Sequence, residues 1–211
     1  MVGTYPVTFN VDFPDRSLDR LSTLLRIIFI IPIGIVLGLL TPASIHYATT
    51  ANGTTNETST LATGGGLLFV PLVLMILFRQ KYPRWWFDWN LQLFRFENRV
   101  SAYLLLLSDQ YPSTDEEQYV HLDLPYPDAR QLNRWLPLIK WFLAIPHYVV
   151  LFFLAIGALV AVIVAWFAIL FTGRYPRDLF NFVVGVMRWS NRVTGYAFIL
   201  VTDEYPPFRL G

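Results

Sequence analysis

The sequence predicts an all-α integral membrane protein made of two tandem parallel repeats, each a transmembrane hairpin followed by a cytoplasmic interfacial amphipathic helix. Three observations predict this fold class. The 211 residues are 55% hydrophobic and only 15% charged, whereas soluble domains carry about 25% charged residues. Two long apolar stretches contain no Lys or Arg. A motif rich in arginine and aromatic residues follows each stretch, which indicates a duplication.

The first two elements of the duplicated motif keep the same spacing in both copies, and the third follows them in each. A Tyr-Pro-Arg step is followed eleven residues later by an Arg-aromatic-x-Asn-Arg-Val run, and each copy ends on an acidic-x-Tyr-Pro or acidic-Tyr-Pro turn. The first copy has Tyr82-Pro83-Arg84, Arg95-Phe96-Glu97-Asn98-Arg99-Val100 and Asp109-Gln110-Tyr111-Pro112; the second has Tyr175-Pro176-Arg177, Arg188-Trp189-Ser190-Asn191-Arg192-Val193 and Asp203-Glu204-Tyr205-Pro206.

The two copies define the domain organisation. The first repeat covers residues 1–118 and the second covers residues 119–211. In the first we expect a hairpin at 18–78 with an exposed outer loop at 41–66, an interfacial helix at 84–107 and a linker at 113–118. In the second we expect a hairpin at 132–171 and an interfacial helix at 177–201.

The second hairpin is predicted from length. As one helix, residues 138–171 would be about 50 Å long, but the hydrocarbon core is only about 30 Å thick. Two spans with a tight turn near Gly157-Ala158 fit better, which gives four spans in the whole chain. A hairpin that dips into the membrane from one side without crossing it is the alternative.

The positions of the basic residues predict the orientation. No Lys or Arg occurs at 27–78 or at 141–173. Because cytoplasmic segments are enriched in basic residues, the N-terminus, the middle segment and the C-terminus are expected in the cytoplasm. Two parallel repeats then share a pseudo-twofold axis along the membrane normal.

Each predicted interfacial helix has an apolar face and a stripe of polar and basic residues at helical spacing. Such a helix lies in the membrane interface, where the stripe can bind anionic lipid or a partner protein. The alternative is that these arginines snorkel or pair with Asp88, Glu97 or Asp178. The candidate binding residues are Arg84, Arg95, Asn98, Arg99, Arg177, Arg188, Asn191 and Arg192.

Aromatic residues and one histidine complete the candidate list. Tryptophans are typical of membrane interfaces, and the candidate anchors are Trp85, Trp86, Trp89, Trp141 and Trp189. His147 is the ionisable residue inside a predicted span, where it is a functional candidate. A neutral histidine bonded to a neighbouring helix is the favoured interpretation.

Each copy also opens with a short segment that suggests a cytoplasmic strand, at 8–15 and at 121–128. Pairing of these strands across the pseudo-twofold axis is expected, although their prolines restrict them to sheet edges.

Catalytic and cofactor motifs are missing from the sequence. There is no cysteine, no histidine pair with metal-ligand spacing and no phosphate-binding or nucleophile motif. We therefore predict a protein that is not an enzyme and has no metal or cofactor.

The second copy resembles the DUF4389 family of bacterial membrane proteins of unknown function. The likeness is carried by Trp135-Leu136-Pro137-Leu138-Ile139-Lys140-Trp141, Ala144-Ile145-Pro146-His147-Tyr148, Phe167-Ala168-Ile169-Leu170-Phe171-Thr172-Gly173-Arg174-Tyr175-Pro176, Arg188-Trp189-Ser190-Asn191-Arg192-Val193 and Asp203-Glu204-Tyr205-Pro206-Pro207-Phe208. The first copy looks like a diverged member. The resemblance implies a prokaryotic inner membrane and no particular activity.

The expected function is that of an accessory or scaffold protein that binds anionic lipid, a larger membrane complex, or both. The alternative is a homo-oligomeric pore or transporter for lipid-like or uncharged solutes. No nucleic-acid partner is expected.

Overall fold

The computed structural model describes the backbone of residues 5–40, 45–51, 54–60 and 64–211, and the side chains of residues 5–38 and 70–211. The chain is mostly helical, with two short two-stranded sheets. The strands are β1 (Thr8–Val11), β2 (Ile45–Ala51), β3 (Thr54–Thr60) and β4 (Val120–Asp123). The helices are α1 (Arg20–Leu40), α2 (Gly64–Arg79), α3 (Arg84–Leu104), α4 (Lys140–Leu143), α5 (Ile145–Thr172) and α6 (Arg177–Thr194).

Two of these helices, α1 over Arg20–Gly38 and α5, are long and apolar enough to cross a membrane. α2 is also apolar but shorter. The predicted tight turn near Gly157-Ala158 is wrong, because α5 continues unbroken for 28 residues, or about 42 Å. The segment contains no residue that stops a helix before Gly173, which ends α5 in the left-handed conformation with φ 73°. The predicted hairpin at 132–171 is therefore replaced by a 3-10 turn (Leu136–Leu138), α4 and α5.

The predicted outer loop is more regular than expected. β2 and β3 pair as an antiparallel hairpin, with Ile45 opposite Thr60 and Ala51 opposite Thr54. Threonine is common in strands, and Asn52-Gly53 is a favoured hairpin turn sequence, although these two residues lie outside the described part of the chain.

The expected pairing of the two short segments at 8–15 and 121–128 is confirmed. β1 and β4 form an antiparallel ribbon in which Phe9 lies opposite Leu122 and Asn10 lies opposite His121. Along each strand the side chains alternate between buried and exposed, as expected for a sheet with one covered face. The buried face packs into the main core.

The predicted interfacial helices are confirmed as helices, although they end earlier than the predicted 107 and 201. α3 ends at Leu104, and α6 ends at Thr194 and continues as a π-helical turn (Gly195–Ile199). α1 packs on α3, α5 packs on α6, and α6 also contacts β1. The ribbon and the apolar helices thus lie on different sides of α3 and α6, which form the middle of the molecule.

Candidate membrane-facing surface and central cleft

The apolar helices expose most of their large side chains. On α5 the buried side chains are small ones along one side, such as Ala158, Ala161 and Ala165. A folded protein rarely exposes so large an apolar surface to water. Its exposed members include Ile27, Ile28, Ile31 and Ile35 of α1 and Phe152, Phe153, Ile156, Leu159, Val160, Ile163 and Phe167 of α5. We call this surface the apolar face.

Both ends of α5 are attached to the same folded body. At its start, the ring of His147 stacks on Phe208 with 4.0 Å between centroids. At its end, the carbonyl of Gly173 accepts a 2.8 Å hydrogen bond from the amide of Leu18, just before α1. Trp166 Nε1 donates to the carbonyl of Thr23 at 3.2 Å. α5 therefore runs along the body instead of projecting away from it.

Exposed basic residues collect at both ends of α5. One cluster lies beside the C-terminal end of α5, where Arg20 Nη2 donates to the Phe171 carbonyl at 3.3 Å. The other lies near the N-terminal end of α5, where Arg134 Nη2 donates to Gln80 Oε1 at 2.8 Å. The C-terminal basic cluster consists of Arg16, Arg20, Arg174 and Arg177, and the N-terminal basic cluster consists of Arg79, Lys81, Arg84, Arg130 and Arg134.

Two candidate arginines of the predicted stripe hold the ribbon instead of facing lipid. Arg95 Nε donates to the Leu122 carbonyl at 2.9 Å, and its Nη2 reaches Asp123 at 2.7 Å. Arg188 Nε donates to the Phe9 carbonyl at 2.9 Å, and its Nη2 reaches Asn10 Oδ1 at 3.3 Å. Each arginine thus binds a strand from the other half of the chain. The expected ion pairs of these arginines with Asp88, Glu97 or Asp178 do not occur among the described residues.

The next two arginines of the stripe are buried. Arg99 donates from Nε to the Ser113 carbonyl at 2.8 Å and from Nη2 to the Thr114 carbonyl at 3.1 Å. Arg192 donates to the carbonyl oxygens of Arg209 and Gly211 at 3.1 and 2.9 Å. This differs from the predicted lipid-facing stripe, because the guanidinium donors satisfy backbone acceptors of loops that follow each helix.

The two candidate asparagines meet in the core. Asn191 Nδ2 donates to Asn98 Oδ1 at 2.7 Å, which links α6 to α3. Asn98 Nδ2 donates in turn to the Phe94 carbonyl at 2.9 Å. Both side chains are buried and bonded to each other, which gives them a structural role in place of the predicted contact with lipid.

Two buried cations occupy corresponding places in the halves. Arg26 lies 4.3 Å over the Tyr103 ring and donates to the carbonyls of Tyr103 and Ser108. Lys140 lies 5.0 Å over the Tyr196 ring and donates to the Thr202 carbonyl at 2.6 Å. Both cations are buried, Arg26 against backbone acceptors and Lys140 against a backbone acceptor and the carboxylate of Asp203 at 2.8 Å.

The candidate anchors divide into two groups. Trp85, Trp89 and Trp141 are exposed and Trp86 is half-buried, as an interfacial belt requires. Trp189 is buried, so its predicted role as an anchor is corrected. Its Nε1 donates to His147 Nδ1 at 3.0 Å, which confirms the expected bond from His147 to a neighbouring helix.

A cleft of about 440 Å³ lies between α3, α5 and α6. Its apolar wall includes Ala155, Ala158 and Leu159 of α5. Sequence reasoning did not identify this cleft, because its lining comes from three separate helices. The polar side chains that line it are Glu97, Asn98, Ser101, Ser190, Asn191 and Thr194.

Comparison with known proteins gives one match. Residues 135–209 match the family model DUF4389, which is described as a domain of unknown function. No curated protein and no solved structure matches the chain. The match covers the 3-10 turn, α4, α5, α6 and the segment after them. The resemblance predicted from the sequence is therefore confirmed for residues 135–209, which are the part of the chain similar to the DUF4389 family.

Proposed function

We propose that this protein is a non-catalytic membrane scaffold that lies in one leaflet, with the apolar face in the hydrocarbon and the basic clusters at the lipid head groups. The attachment of both ends of α5 to one body carries this proposal. If α5 crossed the bilayer, the body beside it would have to enter the hydrocarbon as well. The ribbon carries the exposed residues Asn10 and Asp123 and open strand edges, which lipid does not tolerate.

In this arrangement no helix crosses the bilayer. It replaces the four predicted spans by the alternative in which the apolar segments enter the membrane from one side. The two halves would be tandem parallel repeats around an axis normal to the membrane. That proposal is supported by the pairs Arg95 and Arg188, which make matching contacts, and by Asn98 and Asn191, which contact each other. The ribbon side would face the cytoplasm of a bacterial cell, available to a larger membrane complex.

Anionic lipid is the proposed ligand of the basic clusters. All nine basic residues in the two clusters are exposed, and each Lys or Arg near an anionic surface contributes about 1 kcal/mol. Arg84 and Arg177 are the candidate binding residues of the predicted stripe that are exposed. Arg84 lies over the Tyr126 ring and Arg177 over the Phe13 ring, at 5.5 and 4.7 Å.

Single-cysteine labelling tests the topology, since the chain has no cysteine of its own. Arg134→Cys and Arg174→Cys bracket α5, and Glu116→Cys marks the body. With a membrane-impermeant maleimide we expect all three to react from the same side of sealed vesicles, and Leu159→Cys in the middle of α5 to stay unreactive from both sides. Reaction of Arg134→Cys and Arg174→Cys from opposite sides would establish a crossing and refute the one-sided arrangement.

Lipid selectivity is tested separately with the purified protein and labelled phosphatidylglycerol. The double variant Arg84→Ala/Arg177→Ala should lower the affinity of each basic cluster about fivefold at low salt, because each cluster loses one contribution of about 1 kcal/mol. Arg209→Ala, an exposed arginine outside both clusters, is the matched control. Equal selectivity for phosphatidylglycerol over phosphatidylcholine in the double variant and the wild type would disprove the role of these arginines.

The second candidate function is the homo-oligomeric pore or transporter for lipid-like or uncharged solutes. The exposed apolar side of α5 would let copies of the chain associate side by side in the membrane. Mass measurement of the detergent-solubilised protein separates the two, because a stable ring of copies would favour the pore and a monomer would favour the scaffold.

A further inference from the structure

Among the described residues that line the cleft between α3, α5 and α6, Glu97 is the acidic one. Glu97 makes no hydrogen bond and no ion pair within the part of the chain that the structure describes. Its carboxyl group is half-buried, and burial raises its pKa above the usual value. A partly desolvated carboxylate without a partner is unfavourable unless a ligand compensates it.

The rest of the lining determines which ligand would compensate it. Among the described residues, no Lys, Arg or His lines the cleft, so an anionic head group would find no positive charge there and would be repelled by the Glu97 carboxylate. The hydroxyl groups of Ser101 and Ser190 lie at exposed positions of the cleft and can accept hydrogen bonds. The site thus offers a negative charge and several acceptors to a cation that donates hydrogen bonds.

The apolar wall points to a ligand that also has a hydrocarbon part. Leu159 lines the cleft and is also 59% exposed on the apolar face, so the cleft is continuous with that face. A volume of about 440 Å³ lies in the range of small-molecule sites, roughly 300–1,000 Å³. A head group could occupy the cleft while its chain follows α5.

We propose that this cleft binds an amphiphile with a primary-amine head group, with Glu97 as the counter-ion and Ser101 and Ser190 as hydrogen-bond acceptors. The ligand chemistry differs from that proposed for the basic clusters, and the residues are different. The inference therefore does not depend on whether the clusters bind anionic lipid.

The test uses the full-length protein in detergent with dodecylamine as the probe and calorimetry as the readout. We expect saturable binding of one dodecylamine per chain and at least tenfold weaker binding to Glu97→Gln, which keeps the shape of the side chain. Asp88→Asn removes an exposed carboxylate of the same helix and should bind like the wild type. Ser101→Phe, which narrows the cleft from an exposed position, should also weaken binding.

Two comparison ligands make the test specific. Dodecyl phosphate has the same chain with an anionic head, and dodecyltrimethylammonium has a cationic head that donates no hydrogen bond. Both should bind at least tenfold more weakly than dodecylamine. Equal affinity for dodecyl phosphate, or unchanged dodecylamine affinity in Glu97→Gln, would overturn the proposal.

The source of the amine is identified by competition. If nanodiscs containing phosphatidylethanolamine displace dodecylamine and phosphatidylcholine nanodiscs do not, the ligand is a membrane lipid. If neither displaces it while Glu97→Gln still abolishes binding, the ligand is a free amphiphilic amine. Failure of the phosphatidylglycerol experiment would leave these results unchanged, so the two proposals fail separately.

Discussion

Asn191 and Asn98 are 93 positions apart in the chain, and their side-chain amides share a buried 2.7 Å hydrogen bond that joins α6 to α3. Each is the asparagine of an Arg-aromatic-x-Asn-Arg-Val run. A contact between such equivalent residues is expected at the axis if the proposed twofold relation holds. This hydrogen bond is also a direct polar contact between α3 and α6, the two helices in the middle of the molecule.

Truncating either asparagine should destabilise the protein measurably. Asn98→Ala and Asn191→Ala each leave a buried amide without its partner, which costs about 1–3 kcal/mol. The double variant should be less destabilised than the two single changes added together. Thermal unfolding in detergent measures the cycle, with Asn181→Ala as an exposed control on α6. If the destabilisation of the double variant equalled the sum of the two single changes, the hydrogen bond between the asparagines would contribute no coupling energy.

Replacing Arg188 with lysine should loosen the ribbon without unfolding the molecule. The guanidinium reaches Phe9, Asn10 and Leu210 at once, and a lysine cannot reproduce that planar fork. We expect faster hydrogen exchange of the β1 and β4 backbone amides. Arg174→Lys, at an exposed site, should leave exchange unchanged. Unchanged protection in Arg188→Lys would show that the strands are held by their packing alone.

Two glycine-to-alanine substitutions should change the stability of the protein in opposite directions. Gly173 has φ 73°, and a Cβ there would lie 3.5 Å from Ser17 Cβ, so Gly173→Ala should lower stability by about 1 kcal/mol. Gly34 lies inside α1 and a Cβ there meets no atom within 4 Å, so Gly34→Ala should raise stability by about 0.5–1 kcal/mol. Melting temperatures measured side by side check both signs. A stabilising Gly173→Ala would contradict the left-handed end of α5.

The ribbon should be slightly more stable at mildly acidic pH. His121 on β4 bonds to Asp12 at 2.9 Å and to Glu117 at 3.2 Å, and these hydrogen bonds raise the pKa of its imidazole. Because the folded pKa is raised, the stabilisation is complete below the unfolded value and is lost as pH rises through the folded value. The pair is exposed, so the effect is small.

An NMR titration of the His121 ring checks this dependence. We expect a pKa above 6.5 in the wild type and a lower one in Asp12→Asn, whose side chain is neutral. Asp15→Asn removes a carboxylate outside this contact and serves as the control. A His121 pKa that is the same in the wild type and in Asp12→Asn would show that the 2.9 Å contact does not stabilise the imidazolium in solution.

The apolar helices and the ribbon could be predicted because their signals are local. The alternation at residues 8–11 and 120–123 indicates strands by itself, and the run from Ile145 to Phe171 is apolar enough to indicate helix. The turn at Gly157 was predicted from bilayer thickness and from the loop in the first copy, not from a residue that stops a helix. The apolar run instead forms one helix, α5, which packs along the rest of the molecule.

The candidate site was harder to predict because its partners are distant in sequence. Arg95 donates to a backbone carbonyl 27 residues away, and Arg188 donates to one 179 residues away. Periodicity identifies the face on which an arginine lies, but a backbone acceptor leaves no signal in the sequence. Glu97 was considered only as a pairing partner for arginine, since nothing local indicated that α5 and α6 would form a cleft around it.

The crossed contacts of Arg95 and Arg188 also determine when the protein can fold. β1 is made first during synthesis, but its pairing partner β4 begins at Val120 and its arginine lies 179 residues beyond Phe9. The first strand therefore has an open edge until β4 has left the ribosome, and it gains its contact with Arg188 only later. A ribosome that stalls before β4 emerges would expose a strand edge that can pair with another nascent copy.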